Sequence, residues 1–264
     1  MNTERIDNVE KYYRPIERFE KLDSVTFWVS AVLSIVVLHE DKIPWVQLQR
    51  IPSILFVILV IVHLVSSLYL QFYLMPIAER TRRKQLLSDS FGVPLTSEKT
   101  KNYYNNSLMP SIAKLGANVF ENSLFAKTIC TKMVSRERLK VLLYFLTWVI
   151  AATWRSADLG LLVIITQTLF SSEIIEKWLR LEILRHSNES IYNEFYSDFL
   201  HNLDFDSPKG IASTLDKFAS YESVKAMTRI KQSSSIFKAI NPSTSVEWTS
   251  LREQLEIDSI QAQD

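Results

Sequence analysis

The chain has 264 residues, 30 basic and 29 acidic side chains for a formal charge of +1, and 47% hydrophobic residues. So small a net charge excludes a global draw toward nucleic acid or acidic substrates, and any charge argument has to be local. Cys130 is the single cysteine, which excludes an internal disulfide and the Cys-rich zinc modules, and four glycines leave almost nothing for phosphate-cradling loops.

Residues 1–21, MNTERIDNVEKYYRPIERFEK, mix acids with bases and lead to no small-residue cleavage site. They read as an N-terminal cytoplasmic helix and not as a cleaved signal peptide. Segment 22–77 then holds two apolar runs. Residues 24–38, SVTFWVSAVLSIVVL, are uncharged, with Asp23 on one flank and His39, Glu40 and Asp41 on the other. Residues 51–78, IPSILFVILVIVHLVSSLYLQFYLMPIA, contain no Asp, Glu, Lys or Arg. As a helix this second run is about 42 Å long, more than the roughly 30 Å hydrocarbon core of a bilayer requires.

Segment 78–138 is polar at first. ERTRRKQLLSDS continues the second run as a basic stalk, Gly92 and Pro94 mark a turn, and DSFGVPLTSEKTKNYYNN leads through Asn102, Asn105 and Asn106 to an amphipathic stretch, LMPSIAKLGANVFENSLFAKTICTKMV. Segment 139–172 carries two 14-residue uncharged runs, 141–154 and 159–172, separated only by RSAD. Each is about 21 Å long, so they span only if flanking Lys140 and Arg155 reach out to the interface; a re-entrant hairpin is the competing reading. In segment 173–264 a long amphipathic helix kinks near HSNES and ends at SPKG (207–210), another runs to about residue 240, and NPSTS (241–245) separates a short terminal helix. Nothing alternates as a strand does. The expected fold class is an all-α integral membrane protein with four transmembrane helices and a helical cytoplasmic domain.

Seventeen Lys and Arg flank the proposed inner ends of the runs, against three, Lys42, Arg50 and Arg155, in the two outer loops. This positive-inside bias puts both termini and the central segment in the cytoplasm of a bacterial inner membrane, with Trp45 and Trp154 as outer anchors and lipids as neighbours.

The familiar catalytic signatures are missing: no GxSxG, HExxH, Walker A, Rossmann fingerprint or CxxC occurs. His201 with Asp204 and Asp206 could hold a metal, but a solvated helix end accounts for them as well. No enzyme activity, cofactor or metal is expected. His63 is the one ionisable group inside the second run, and such residues commonly face a bundle interior or a water-filled path. Ser67 and Gln71 follow it at four-residue steps, and Thr26, Ser30 and Ser34 repeat that spacing on the first run. These six residues line a polar lumen or serve close helix packing. A lumen needs several copies around an axis, hence a homo-oligomer. The NYYNN segment likewise has two readings, a turn-rich connector or a ligand surface in which Tyr103 and Tyr104 stack on bases, Asn105 and Asn106 read their edges, and Arg82, Arg83, Lys99 and Lys101 meet phosphates. Arg80 to Lys84 also suit anionic lipid.

The order of short span, long span, basic stalk, SFGVPL, NYYNN, ANVFENSLF, close span pair and helical tail resembles the SMODS-associating four-transmembrane effectors, pore formers encoded beside nucleotidyltransferases in CBASS-like and Hailong-type phage-defence operons of bacteria. The resemblance covers roughly residues 10–200. It implies an oligomeric membrane effector gated by its nucleotidyltransferase partner or by that enzyme's nucleotide or oligonucleotide product. The other functional class is a non-conducting membrane scaffold or sensor subunit that docks a cytoplasmic partner through the same surface.

Overall fold

The structure, a computed structural model, describes residues 6–40, 44–45, 49–98, 100–101, 103–153, 159–169 and 172–260. The expected loop 155–158 and the anchor Trp154 lie outside them. The described chain is all-helical, apart from a two-residue antiparallel pairing of β1 (Ile6–Asp7) with β2 (Thr100–Lys101) that the hydropathy pattern does not announce.

Seven helices follow in order among the described residues. A 3-10 turn, Asn8–Tyr12, enters α1 (Tyr13–Leu38). The sequence suggests a separate N-terminal helix and a short apolar run; the structure joins them, because no glycine or proline interrupts residues 16–38 and Pro15 sits in the first turn of α1, where a missing N–H is tolerated. Asp23 therefore lies inside a helix and not at its flank.

Helix α2 runs from Arg50 to Phe91 and includes a π turn, Leu70–Leu74. Its cause is Pro76, which cannot donate to the carbonyl four residues back; just before it the Met75 N–H bonds to Leu70 O, five residues back. Gly92 ends the helix at φ +65, a conformation natural to glycine, and a Cβ there would lie 3.1 Å from Pro110 Cγ.

The remaining helices are α3 (Ile112–Thr153), α4 (Leu159–Leu169), α5 (Lys177–Leu200, after a π turn Ser172–Glu176), α6 (Pro208–Thr228) and α7 (Ser234–Gln254). HSNES sits in unbroken α5, where buried Asn188 returns its amide to Leu184 O at 2.7 Å. SPKG does break the chain: Ser207 caps α6 by accepting the Gly210 N–H, Pro208 occupies the first turn, and a Cβ on Gly210 would fall 2.0 Å from Asp204 O. The next break falls at Arg229, in the left-handed region at φ 49, and not at NPSTS. Helix α7 runs through Pro242, because Ile240, Thr244 and Trp248 on its buried face hold it against the core.

Contacts divide the chain into two units. The first is a helical body assembled within Met1–Tyr12, Pro76–Val134 and Arg180–Asp264. Its core centres on Phe120, fully buried and ringed by Tyr192, Phe199 and, edge-on, Trp248 at 5.1, 5.6 and 5.4 Å between centroids. Such pairs add to the area that five large rings already bury with Phe195.

The second unit comprises Tyr13–Met75 and Ser135–Leu179. Here α1 and α2 run antiparallel: Phe19 meets Tyr69 at 5.1 Å while Asp23 meets His63. Trp28 stacks on Tyr144 at 5.5 Å, and Trp148 Nε1 donates to Thr166 Oγ1 at 2.8 Å, tying α3 to α4. By length and composition two helices can cross a membrane, Asn8–Leu38 with its entry turn and Arg50–Phe91. Among the described residues their outer sides are exposed, with Val25 and Val32 on α1 and Ile54, Val57, Ile61 and Val65 on α2.

Candidate functional sites

In the body, Tyr104, Asn105 and Asn106 of the NYYNN segment are held by side chains of helix α3, while Asn102 lies outside the described residues. The Asn105 N–H and Nδ2 donate to the two carboxylate oxygens of Glu121 at 3.1 and 3.0 Å. Asn106 Nδ2 donates to Asn118 Oδ1 at 2.8 Å, and Asn122 Nδ2 donates to the Tyr104 hydroxyl at 3.1 Å. Asn118, fully buried, passes its own amide to Asp89 and Ser90 on α2, both at 3.0 Å. The two stretches singled out separately in the sequence, NYYNN and ANVFENSLF, are thus the two sides of one network. The spacing of Asn118, Glu121 and Asn122, three and four residues apart on an apolar helix, is the signal that sequence reading passes over.

From the other side α7 reaches the same loop. Trp248 Nε1 and Arg252 Nη1 donate to Asn105 O at 3.1 and 2.7 Å, while Arg252 Nε lies 3.0 Å from Asp258 Oδ2 and the Ser107 N–H donates to Asp258 Oδ1 at 3.0 Å. Between loop and helix lies a polar cleft of about 420 Å³, lined by Tyr104, Asn105, Asn106, Ser107, Ser245, Thr249 and Arg252. Asn106 Oδ1, buried at its edge, has no hydrogen-bond partner among the described residues. Three of the proposed ligand residues line the cleft; its α7 wall is a contribution that no local pattern announces.

The other proposed ligand residues stand elsewhere. Arg82 makes a two-toothed contact with Asp7, Nη1 to Oδ1 at 3.2 Å and Nη2 to Oδ2 at 2.9 Å, and its guanidinium lies 4.8 Å from the Tyr103 ring. Arg83 is exposed, and the backbone of Lys101 is in β2. Lys99 lies outside the described residues. The tyrosine doublet splits: Tyr103 leans toward Arg82, whereas Tyr104 packs on the core, and burial holds its phenol well above the ordinary value. The rings still meet edge to face at 4.9 Å. Cys130 is buried and its thiol pushed up to about 12 by that burial, so thiolate chemistry is closed to it.

In the second unit His63 finds a partner that the sequence reading leaves out. His63 Nδ1 lies 3.0 Å from Asp23 Oδ1 and 3.2 Å from Asp23 O, and Ser66 Oγ donates to the same carboxylate oxygen at 2.9 Å. Asp23 and Ser66 are buried, and the imidazole lies beside the Phe27 ring, tilted by 47° at 5.7 Å between centroids. Thr26 and Ser30 are buried too, and their hydroxyls bond back to carbonyls of α1, Thr26 to Leu22 and Asp23, Ser30 to Thr26. Ser34 bonds to Ala31 O, and Gln71 Nε2 donates to Ser67 Oγ at 3.2 Å. The proposed pore-lining residues therefore fall into two groups, one turned back onto α1 and one gathered along α2.

Comparison with protein-family models, with curated proteins and with solved structures finds no match to this chain.

Proposed function

We propose that this chain is a pore-forming membrane effector of bacterial defence against phage, of the kind the SMODS-associating four-transmembrane effectors represent, acting as a homo-oligomer in the inner membrane with both termini in the cytoplasm. The observation that carries the reading is a polar cluster, Asp23, His63 and Ser66, enclosed between two helices whose outer faces are apolar and bare. Lipid, or further copies of the chain, satisfies such faces, and intramembrane ionisable groups are retained chiefly where they serve a path or a switch. The pore assembles when copies bring Ser67, Gln71 and the His63 edge around an axis. Signal enters at the NYYNN cleft, where Tyr104, Asn106, Thr249 and Arg252 offer the edge of a ring, an amide, a hydroxyl and a cation to a nucleotide or oligonucleotide from a partner nucleotidyltransferase. A ligand there shifts the closed-to-open balance by its differential affinity for the two states.

A second reading, a non-conducting scaffold that docks the partner, is favoured by Thr26 and Ser30, whose hydroxyls are buried and already bonded within α1. Induced expression without any partner separates the two. Rapid loss of membrane potential supports the pore; quiet accumulation in the membrane supports the scaffold. Reporters at both termini and at residue 100 are expected in the cytoplasm, and a cytoplasmic reporter at 157 as well would overturn the four-span topology in favour of a re-entrant hairpin.

A further inference from the structure

The cluster between α1 and α2 constrains the imidazole chemically, and this deepens the pore reading at the same residue. An ionised carboxylate and a backbone carbonyl are acceptors only. Nδ1 of His63 faces both, Asp23 Oδ1 at 3.0 Å and Asp23 O at 3.2 Å, so the hydrogen must reside on Nδ1. Ser66 Oγ donates to the same carboxylate oxygen at 2.9 Å and to His63 O at 3.0 Å, so it competes for no nitrogen. Nε2 carries no hydrogen bond among the described residues. The ring as a whole keeps 22% of its side-chain surface open, whereas the Asp23 side chain keeps 8%. A carboxylate that fixes Nδ1–H leaves Nε2 as a basic lone pair.

The surroundings hold few other charges. On α2, residues 51–62 before His63 and 64–78 after it are uncharged, as are residues 141–153 of α3 and all of α4, which contacts α1. On α1 the nearest other charged groups are Glu20, partly buried one turn from Asp23, and Lys21, exposed. Asp23 is thus the charge that faces the ring directly.

We propose that Asp23, Ser66 and His63 form a proton-binding site inside the α1–α2 pair, in which Asp23 holds the Nδ1–H tautomer and Nε2 takes a proton from water. The proton adds to the Nε2 lone pair, Asp23 stays ionised, and a dipolar hydrogen bond becomes an ion pair that tightens the contact between the helices. Bonding of this kind across a helix pair gains strength when one partner becomes charged.

The test is nitrogen-15 NMR of the full chain in lipid nanodiscs with labelled histidine, His63→Gln identifying the His63 signals among those of four histidines. In alkaline buffer the neutral ring is expected as the Nδ1–H form, the one that free histidine in water populates less; on acidification the Nε2 signal moves to its protonated position. Asp23→Leu removes the carboxylate but leaves the backbone carbonyl of residue 23, so its neutral ring is expected to lose the pure Nδ1–H form and to show the Nε2–H form beside it. Should that variant fail to insert, Asp23→Asn keeps the shape without the charge, and because its amide can turn either oxygen or N–H toward Nδ1, its neutral His63 is expected to show both tautomers. A neutral parent ring in the Nε2–H form, an Nε2 signal that stays put on acidification, or an Asp23→Leu or Asp23→Asn ring that keeps the parent's pure Nδ1–H form overturns the proposal. Because the readout is the ring itself, a chain that conducts nothing can still pass this test, and a conducting chain can fail it.

Discussion

The NYYNN network of the body and the Asp23–His63–Ser66 cluster of the apolar pair both bury polar groups, but they are secured differently. The first is distributed: Asn105 alone is held at its N–H, its amide and its carbonyl by Glu121, Trp248 and Arg252, and Asn118 reaches on to α2. Loss of one bond leaves others in place. The second is concentrated on one carboxylate oxygen, Asp23 Oδ1, which serves both the imidazole and the Ser66 hydroxyl. A distributed network resists change, whereas a concentrated one responds to a single proton or a single substitution, which is what a fixed scaffold and a responsive element respectively require.

The largest expected effect lies in the distributed network, where polar and apolar contributions can be separated at Trp248. Trp248→Ala removes a fully buried ring from beside Phe120 as well as the donor to Asn105 O, and is expected to destabilise the body by about 3–5 kcal/mol. Trp248→Phe keeps most of the packing and loses the donor, at about 1–2 kcal/mol. Thermal unfolding of the full chain in detergent, followed through the aromatic signal, measures both. Equal losses would mean that the hydrogen bond, and not the ring, holds the loop.

Next in size is a pH effect. Glu79, just past the second apolar run, has its carboxyl pushed up to about 7, first by burial and then by the nearby Glu222 carboxylate, against the opposing pull of Lys225, Arg229 and Arg83. A carboxyl raised in the folded state favours folding in its protonated form. The contribution is complete below about pH 4.5 and is lost as pH rises through 7, an amount of at most about 3 kcal/mol. The stability of the parent is therefore expected to fall between pH 5 and 8, and Glu79→Gln to flatten that slope. An unchanged slope in the variant would assign the pH dependence to other groups.

In the concentrated cluster, Asp23→Leu and His63→Leu are each expected to cost about 1–2 kcal/mol, since each strands the partner in apolar surroundings. The double variant should cost less than the sum, because it strands neither. Strict additivity in such a cycle would show that the 3.0 Å contact contributes nothing of its own.

Legibility in the sequence follows the range of the interaction. The helical class, the uncharged second run, the Gly92 turn and the SPKG break are readable because each depends on hydropathy or backbone preference within a few residues. The reading fails where distant residues decide. Pro242 looks like a helix break and is not, because Trp248 and Ile240 pull α7 onto a core built by α3 and α5. Asp23 looks like a flank because its partner is 40 residues away. Of the cleft, Tyr104, Asn105 and Asn106 are legible as a polar aromatic loop, whereas Ser245, Thr249 and Arg252 come from a helix more than a hundred residues later and carry no mark of their own.

The smallest expected effect on stability is also the most informative about function. Tyr103 contributes its ring to the Arg82 guanidinium at 4.8 Å, but Arg82 remains fixed by both carboxylate oxygens of Asp7 when that ring is gone. Tyr103→Ala should therefore cost well under about 1 kcal/mol, whereas Tyr104→Ala, which empties a place against the core and frees Asn122, should cost severalfold more. If a nucleotide signal stacks on Tyr103, however, its loss removes about 1–3 kcal/mol of binding, roughly tenfold to a hundredfold in affinity. Membrane abundance and partner-dependent toxicity, measured together, distinguish these quantities. A Tyr103→Ala chain that is fully abundant yet deaf to its partner assigns the ring to the signal; one that is abundant and responds like the parent confines signal reception to the Tyr104 and Arg252 cleft or removes it from this loop altogether.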